Sequence, residues 1–170
     1  MSSELATAIN DVAHLTGSFR LRSGARATEY FDKYQFEARP DLLARITEAM
    51  APLVPEDTEV LAGLELGGVP VATALSLHTG IPAAFVRKAA KEYGTQRLAE
   101  GADVDGRRVL VVEDVVTSAG QIVLSTGELR ALGASVATAL CVIDRESGGR
   151  AALAEVGVGL RALLTRSDLV

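Results

Sequence analysis

The sequence predicts an α/β domain in which a mostly parallel sheet is covered by helices on both faces. Four short apolar runs, 60–64, 83–86, 109–112 and 136–143, recur with helix-like stretches between them, which is the alternation of a sheet buried on both sides. The chain has 170 residues, of which 48% are apolar, enough for one domain with a substantial core and too few for two. Residues 1–170 are therefore read as a single domain, with 1–38 forming an N-terminal helix and a small hood.

At the start of the chain, Leu5, Ile9, Val12, Ala13 and Leu15 fall close to helical spacing and predict a short amphipathic helix over 5–15. Residues 19–36 alternate instead and carry aromatic side chains around Ser23-Gly24, which predicts a small antiparallel excursion, the hood. Pro40 and Asp41 open a helix that runs through Met50, with Leu42, Leu43 and Ile46 on one side. Between the later apolar runs the pattern gives helices over 69–77 and 122–132, the second closed by Gly133 as a C-terminal cap. A last apolar run, 158–164, adds a further strand. Residues 87–108 form the longest stretch of weak periodicity and predict a mobile functional loop or an extended hairpin.

A net charge of -5 argues against nonspecific nucleic-acid binding, which needs many cationic contacts to phosphates. The single cysteine, Cys141, lies inside an apolar run, so it is expected to pack as a small hydrophobe in a reducing compartment. Glu4, Asn10, Asp11 and His14 interrupt the N-terminal residues, and no run approaches the ~20 apolar residues that span a bilayer. A soluble, cytoplasmic protein is expected, with neither membrane nor nucleic acid as partner. Any anion site must be local. Arg87, Lys88 and Lys91 place three cations within five residues, although by itself such a run reads first as a solvated face.

The informative string is Val109-Leu110-Val111-Val112-Glu113-Asp114-Val115-Val116-Thr117-Ser118-Ala119-Gly120-Gln121. Four apolar residues make a buried strand, and two carboxylates follow where it should emerge at its carboxyl end, the edge at which open α/β sheets bind ligands. Thr117 to Gln121 then supply hydroxyls, small side chains and a glycine just before a helix, whose unpaired N–H groups suit a phosphate. Carboxylates repel phosphate but accept hydrogen bonds from vicinal hydroxyls, so the string as a whole describes a ribose 5-phosphate. An acidic turn with Thr117 or Ser118 as N-cap is the structural alternative. The P-loop, dinucleotide-binding and H-E-x-x-H patterns are absent, and His14 and His78 lie far apart.

This string closely resembles the PRPP (5-phosphoribosyl pyrophosphate) signature of type I phosphoribosyltransferases. Further pieces are Leu21-Arg22-Ser23-Gly24, Tyr30-Phe31-Asp32-Lys33, Gly63-Leu64-Glu65-Leu66-Gly67-Gly68-Val69-Pro70, Val86-Arg87-Lys88-Ala89-Ala90-Lys91-Glu92-Tyr93-Gly94 and Val142-Ile143-Asp144-Arg145. Their order over most of the chain is similar to that of the orotate phosphoribosyltransferases. The resemblance implies the type I phosphoribosyltransferase fold with its hood, and transfer of the phosphoribosyl group to orotate. It implies that Glu113, Asp114, Val115, Val116, Thr117, Ser118, Ala119, Gly120 and Gln121 bind the ribose 5-phosphate of PRPP. Arg22, Arg87, Lys88 and Lys91 would meet the pyrophosphate, and Tyr30, Phe31, Thr117 and Arg145 the orotate. Lys91 would stabilise the leaving group and Asp114 would orient the sugar, as the two catalytic candidates. Mg²⁺ would enter mainly on PRPP, with no metal ligand assigned to the chain. A homodimer with shared active sites is also implied, Arg87 and Lys91 reaching into the neighbouring subunit.

Two positions depart from the family pattern: Tyr93 stands where a histidine is common, and Gly67 lies near a lysine of some members. Both departures shift weight to Mg²⁺, Arg87 and Lys91. Without the resemblance, Arg145 reads equally as an ion-pair partner of Asp144 or Glu146. The rival functions are a phosphoribosyltransferase for another nucleobase and a non-catalytic PRPP-sensing regulator.

Overall fold

Leu5, Ala6, Ile9 and Ala13 are all buried, the stripe that fixes helix α1 (Ser2–Ala13) against the domain. The computed structural model describes residues 2–20, 24–89 and 98–169. Helix α1 stops two residues earlier than its spacing predicts, because Leu15 already belongs to β1 (His14–Arg20), which pairs antiparallel with β2 (Arg26–Phe31). These two strands are the expected hood. Its far end is not extended, however. Asp32 accepts the Tyr34 N–H and a hydrogen bond from the Gln35 amide, and this turn starts a four-residue helix, α2 (Tyr34–Glu37). Phe36 has no exposed surface and anchors that turn, a burial that stabilises by about 2–3 kcal/mol. Helix α3 (Pro40–Met50) follows with proline in its first turn, as predicted.

The second sheet contains β3 (Val60–Leu64), β4 (Ala83–Val86), β5 (Ala99–Gly101), β6 (Arg108–Val116), β7 (Ser135–Asp144) and β8 (Gly159–Thr165). Its order is β5-β4-β3-β6-β7-β8, parallel throughout except for the β4–β5 pair. All five residues of β3 are buried, as a central strand covered on both faces requires. Helices α4 (Gly68–Thr79), α5 (Gly120–Ala131) and α6 (Gly149–Glu155) complete the layers. Ile9, Ile46, Met50 and Leu75 pack on one face of the sheet with Leu110 and Val112, while Ile122, Leu129 and Leu153 pack on the other with Val109 and Val111. Residues 109–112 of β6 thus alternate between two separate cores.

The structure adds to the sequence reading at three places. Strand β6 continues through Glu113, Asp114, Val115 and Val116, four residues past its apolar run, because β7 pairs with it as far as Val116. Helix α6, with a glycine at its start and only seven residues, lacked a legible pattern. The weakly periodic stretch 87–108 resolves toward the hairpin reading: β5 returns antiparallel to β4, with Val86 opposite Ala99. Gly133, at φ 91, closes the α5 turn as predicted. Cys141 is fully buried, and burial pushes its thiol up from the usual range.

Helix α4 lies unusually close to the sheet at its start. A Cβ on Gly63 would meet the Gly68 carbonyl oxygen at 2.6 Å and Ala72 Cβ at 2.7 Å, and one on Gly68 would overlap the Val112 carbonyl oxygen. Gly68→Ala should therefore cost about 1–3 kcal/mol of overpacking. A chemical-denaturation midpoint unchanged from the native chain would contradict this close approach.

Candidate functional site

Where the chain reverses direction across the sheet decides where a ligand can sit. Strand β3 connects to β4 on one side of it, whereas β6, its neighbour on the other side, connects onward to β7. The segments leaving β3 and β6 therefore diverge and open a crevice at their carboxyl ends.

One wall of that crevice is the loop from Val116 to Gly120. Ala119 takes a left-handed conformation, φ 61, at a cost of about 1 kcal/mol, and turns the chain sharply into α5. No side chain caps the helix. Its first turn instead borders a cavity of about 150 Å³ lined by Glu113, Val115, Thr117, Ser118, Gly120 and their neighbours, with the Thr117 and Ser118 side chains exposed. Unpaired N–H groups at a helix start, two hydroxyls and a phosphate-sized space together make an anion seat. Gly149 backs the loop: a Cβ there would meet the Thr117 carbonyl oxygen at 2.5 Å.

The two carboxylates do not share one environment. Successive strand residues face opposite ways. Glu113 lines the cavity, whereas Asp114 has no exposed surface and its Oδ2 lies 2.6 Å from Lys33 Nζ. The two acids thus stand differently toward the cavity: one borders it and the other is buried behind it. Each also fixes backbone, Glu113 accepting the Asp114 N–H at 3.1 Å and Asp114 accepting the Val115 N–H at 2.6 Å.

Glu37, from α2, joins them and is itself buried. Burial, reinforced by the Asp114 charge, pushes both Glu37 and Glu113 up to about 9. Burial also opposes charge on Asp114, but the polar contacts of Glu37, Glu113 and Lys33, together with the Lys33 charge, outweigh it and hold that carboxyl below its ordinary range. Lys33 loses some stability as a cation through burial and regains more from Asp114, so its ammonium is held charged. Lys33 and Glu37 were not singled out from the sequence. Lys33 falls in one of the strings that carry the resemblance but with no role attached to it, and the one-turn helix that holds Glu37 leaves no periodicity to detect.

The basic arm leaves from β4. Arg87 donates its N–H to the Leu98 carbonyl at 2.9 Å, and Lys88 donates its N–H to Glu65 Oε2 at 3.0 Å, which ties the arm to the loop after β3. Arg87 Nε is buried without a partner. Lys91 and Tyr93 on this arm, and Arg22 in the hood, lie outside the described residues.

On the hood side, Tyr30 stacks on Phe19 with ring centroids 5.5 Å apart, and the Arg145 guanidinium sits 5.5 Å from the Phe31 ring centroid. A cavity of about 530 Å³ is lined by His14, Glu29, Tyr30, Phe31, Arg145 and Arg166 among others. Asp144 pairs with Arg150 at 3.2 Å, and Glu146 accepts the Ser167 hydroxyl at 2.8 Å, so neither neighbour holds Arg145. The Arg145 N–H donates to the Val116 carbonyl at 2.8 Å, joining this wall to the phosphate loop on which Thr117 sits. Tyr30, Phe31 and Arg145 are brought together; Thr117 lines the neighbouring cavity instead. Among the described residues, no group of three His, Cys, Asp or Glu side chains is arranged to hold a metal ion, and no helix is long and apolar enough to cross a membrane.

The model of the phosphoribosyl transferase domain family matches residues 34–160, and the chain belongs to that family. Within it the chain groups with the orotate phosphoribosyltransferases. It is 54% identical over 169 residues to the orotate phosphoribosyltransferase of Nocardioides sp., covering 99% of this chain and 94% of that one. With the enzyme of the same name from Halobacterium salinarum it shares 48% identity over 154 residues, 91% and 87% of the two chains. The crystal structure of Mycobacterium tuberculosis orotate phosphoribosyltransferase in complex with PRPP superimposes with a TM-score of 0.85 at 31% identity, covering 99% of this chain and 98% of that one.

The carboxyl cluster has a measurable consequence. Glu37 and Glu113 keep their protons to about 9 in the folded chain but ionise near 4.5 when unfolded, so the folded state binds more protons across that window. Stability should fall as pH rises from about 5 to 9. Glu37→Gln should make the decline shallower by about one proton's worth, and an unaltered slope of unfolding free energy against pH would overturn the assignment.

Proposed function

We propose that the protein transfers the 5-phosphoribosyl group from PRPP to orotate, giving orotidine 5'-phosphate and pyrophosphate in the cytoplasmic synthesis of UMP de novo. The observation that carries the reading is the uncapped α5 start beside Glu113, joined through the Arg145 N–H to a wall of Tyr30, Phe31 and a guanidinium. The helix start and the hydroxyls of Thr117 and Ser118 would hold the 5-phosphate, with backbone from Val115, Val116, Ala119, Gly120 and Gln121 shaping the seat. Glu113 would accept hydrogen bonds from the ribose hydroxyls. Arg145 would pair with the orotate carboxylate, a planar anion suited to a guanidinium. Tyr30 and Phe31 would lie beside the ring.

Bond breaking at the ribose C1 separates positive charge on the sugar from negative charge on the leaving pyrophosphate. Arg22, Arg87, Lys88 and Lys91 would meet that negative charge, Lys91 acting most strongly in the transition state. A closing arm that also excludes water would protect PRPP from hydrolysis. In the dimer we propose, Arg87 and Lys91 serve the partner's site. Mg²⁺ carried on the pyrophosphate would neutralise further charge there. The chain's own donors favour that route: Lys33 already balances Asp114, and Glu37 and Glu113 are held neutral by burial and the Asp114 charge.

Mixing purified protein with orotate, PRPP and Mg²⁺ should deplete orotate absorbance, with adenine, hypoxanthine and uracil inert. Turnover of another base alone would replace orotate, and PRPP binding without turnover would favour a sensor. Lys91→Ala should lower kcat by about two orders of magnitude or more while leaving the melting temperature close to native. A near-native kcat would remove Lys91 from the reaction. Arg145→Ala should raise the KM for orotate by about tenfold or more with PRPP affinity retained; equal losses for both substrates would show that Arg145 supports the fold instead.

A further inference from the structure

Behind the cavity at the start of α5 lies a group of polar side chains in which Lys33 and Glu37 have no part in the transfer reaction proposed above. Glu37 and Asp114 are 7% and 0% exposed, and both come to rest over Gly67. A Cβ added to Gly67 would overlap Asp114 Oδ2 and meet Glu37 Oε1 at 3.0 Å. Two carboxyl oxygens therefore crowd one small space. Glu37 Oε1 has no hydrogen-bond donor there. Lys33 Nζ is 2.6 Å from Asp114 Oδ2 but is not aligned for a hydrogen bond, so Oδ2 keeps a lone pair for a second donor. Two buried acceptors facing each other cost several kcal/mol if both are charged, and a single proton between them satisfies both.

We propose that Lys33 and Glu37 are positioning residues for the reaction, Glu37 as a carboxylic acid donating its proton to Asp114 Oδ2 and Lys33 as the balancing charge. Together they lock the end of the hood to strand β6. The inference rests on the proposed transfer to a base held by the hood. Asp114 is the hub: its Oδ1 holds the Val115 N–H, which sets the strand's path into the phosphate loop, and Lys33 lies two residues beyond Phe31 on the base-facing wall. The cluster therefore fixes the distance between base and ribose C1, the quantity on which in-line transfer depends most steeply. The other titratable groups near Glu37 are Glu113, on β6 beside Asp114, and Tyr34, which acts on Lys33 from the same turn.

The test begins with orotate turnover by the native enzyme, since its absence would remove the transfer reading itself. Given turnover, Glu37→Ala and Lys33→Met should each lower kcat by about tenfold to a hundredfold, with the KM for PRPP within about threefold of native. Glu37→Gln retains a donor and should recover most of the loss. Infrared difference spectra of native protein against Glu37→Gln at pH 7.5 (about neutral) should contain a protonated-carboxyl carbonyl band, a readout independent of activity. Native kinetics in both Glu37→Ala and Lys33→Met would overturn the proposal. So would Glu37→Gln as damaging as Glu37→Ala, or the lack of that band.

Discussion

Gly67 and Gly68 set the constraint on which the rest of the site depends. Side chains at these two positions would take the places now filled by the Asp114 carboxylate and by the Val112 carbonyl. Their absence lets the start of α4 press against β6, and that contact brings three otherwise separate parts to one point: the loop after β3, the strand that enters the phosphate loop, and the one-turn helix that follows the hood. Glycine is required at 67 and 68 for the room it leaves, because neither has a positive φ.

The charges in the site follow from that crowding. In an acidic chain with a net charge of -5, three carboxyl groups next to a phosphate seat would repel the ligand. Burial resolves the conflict by neutralising two of them and matching the third with Lys33. The cavity thus presents a helix start and hydroxyls, while Arg87 and Lys88 stand apart from it where the chain leaves β4.

Sequence reading was strongest where one physical signal dominates. The apolar runs of β3, β4, β6 and β7 alternate with helices, and burial on both faces leaves little else for them to be. The turn from β6 into α5 was legible because hydroxyls, a small residue and glycine follow a buried strand without interruption. What escaped was decided by contacts distant in sequence. Glu113 and Asp114 look equivalent as neighbours, and only the pleat of β6 and the arrival of Lys33 from the hood separate them. Arg145 reads equally as an ion-pair partner or a ligand contact in the sequence, and only the fold brings Arg150 and Ser167 to its acidic neighbours. Helices α2 and α6 are too short to carry a period.

The lone cysteine gives this chain a practical property. Cys141 lies in the middle of β7, opposite Glu113, without exposed surface, and its thiol is held in the unreactive protonated form. A cysteine introduced at an exposed position would therefore be the single site open to a maleimide dye or spin label in the native protein. The background is already silent, so one probe on the arm and another on the hood could be compared without first engineering any thiol away.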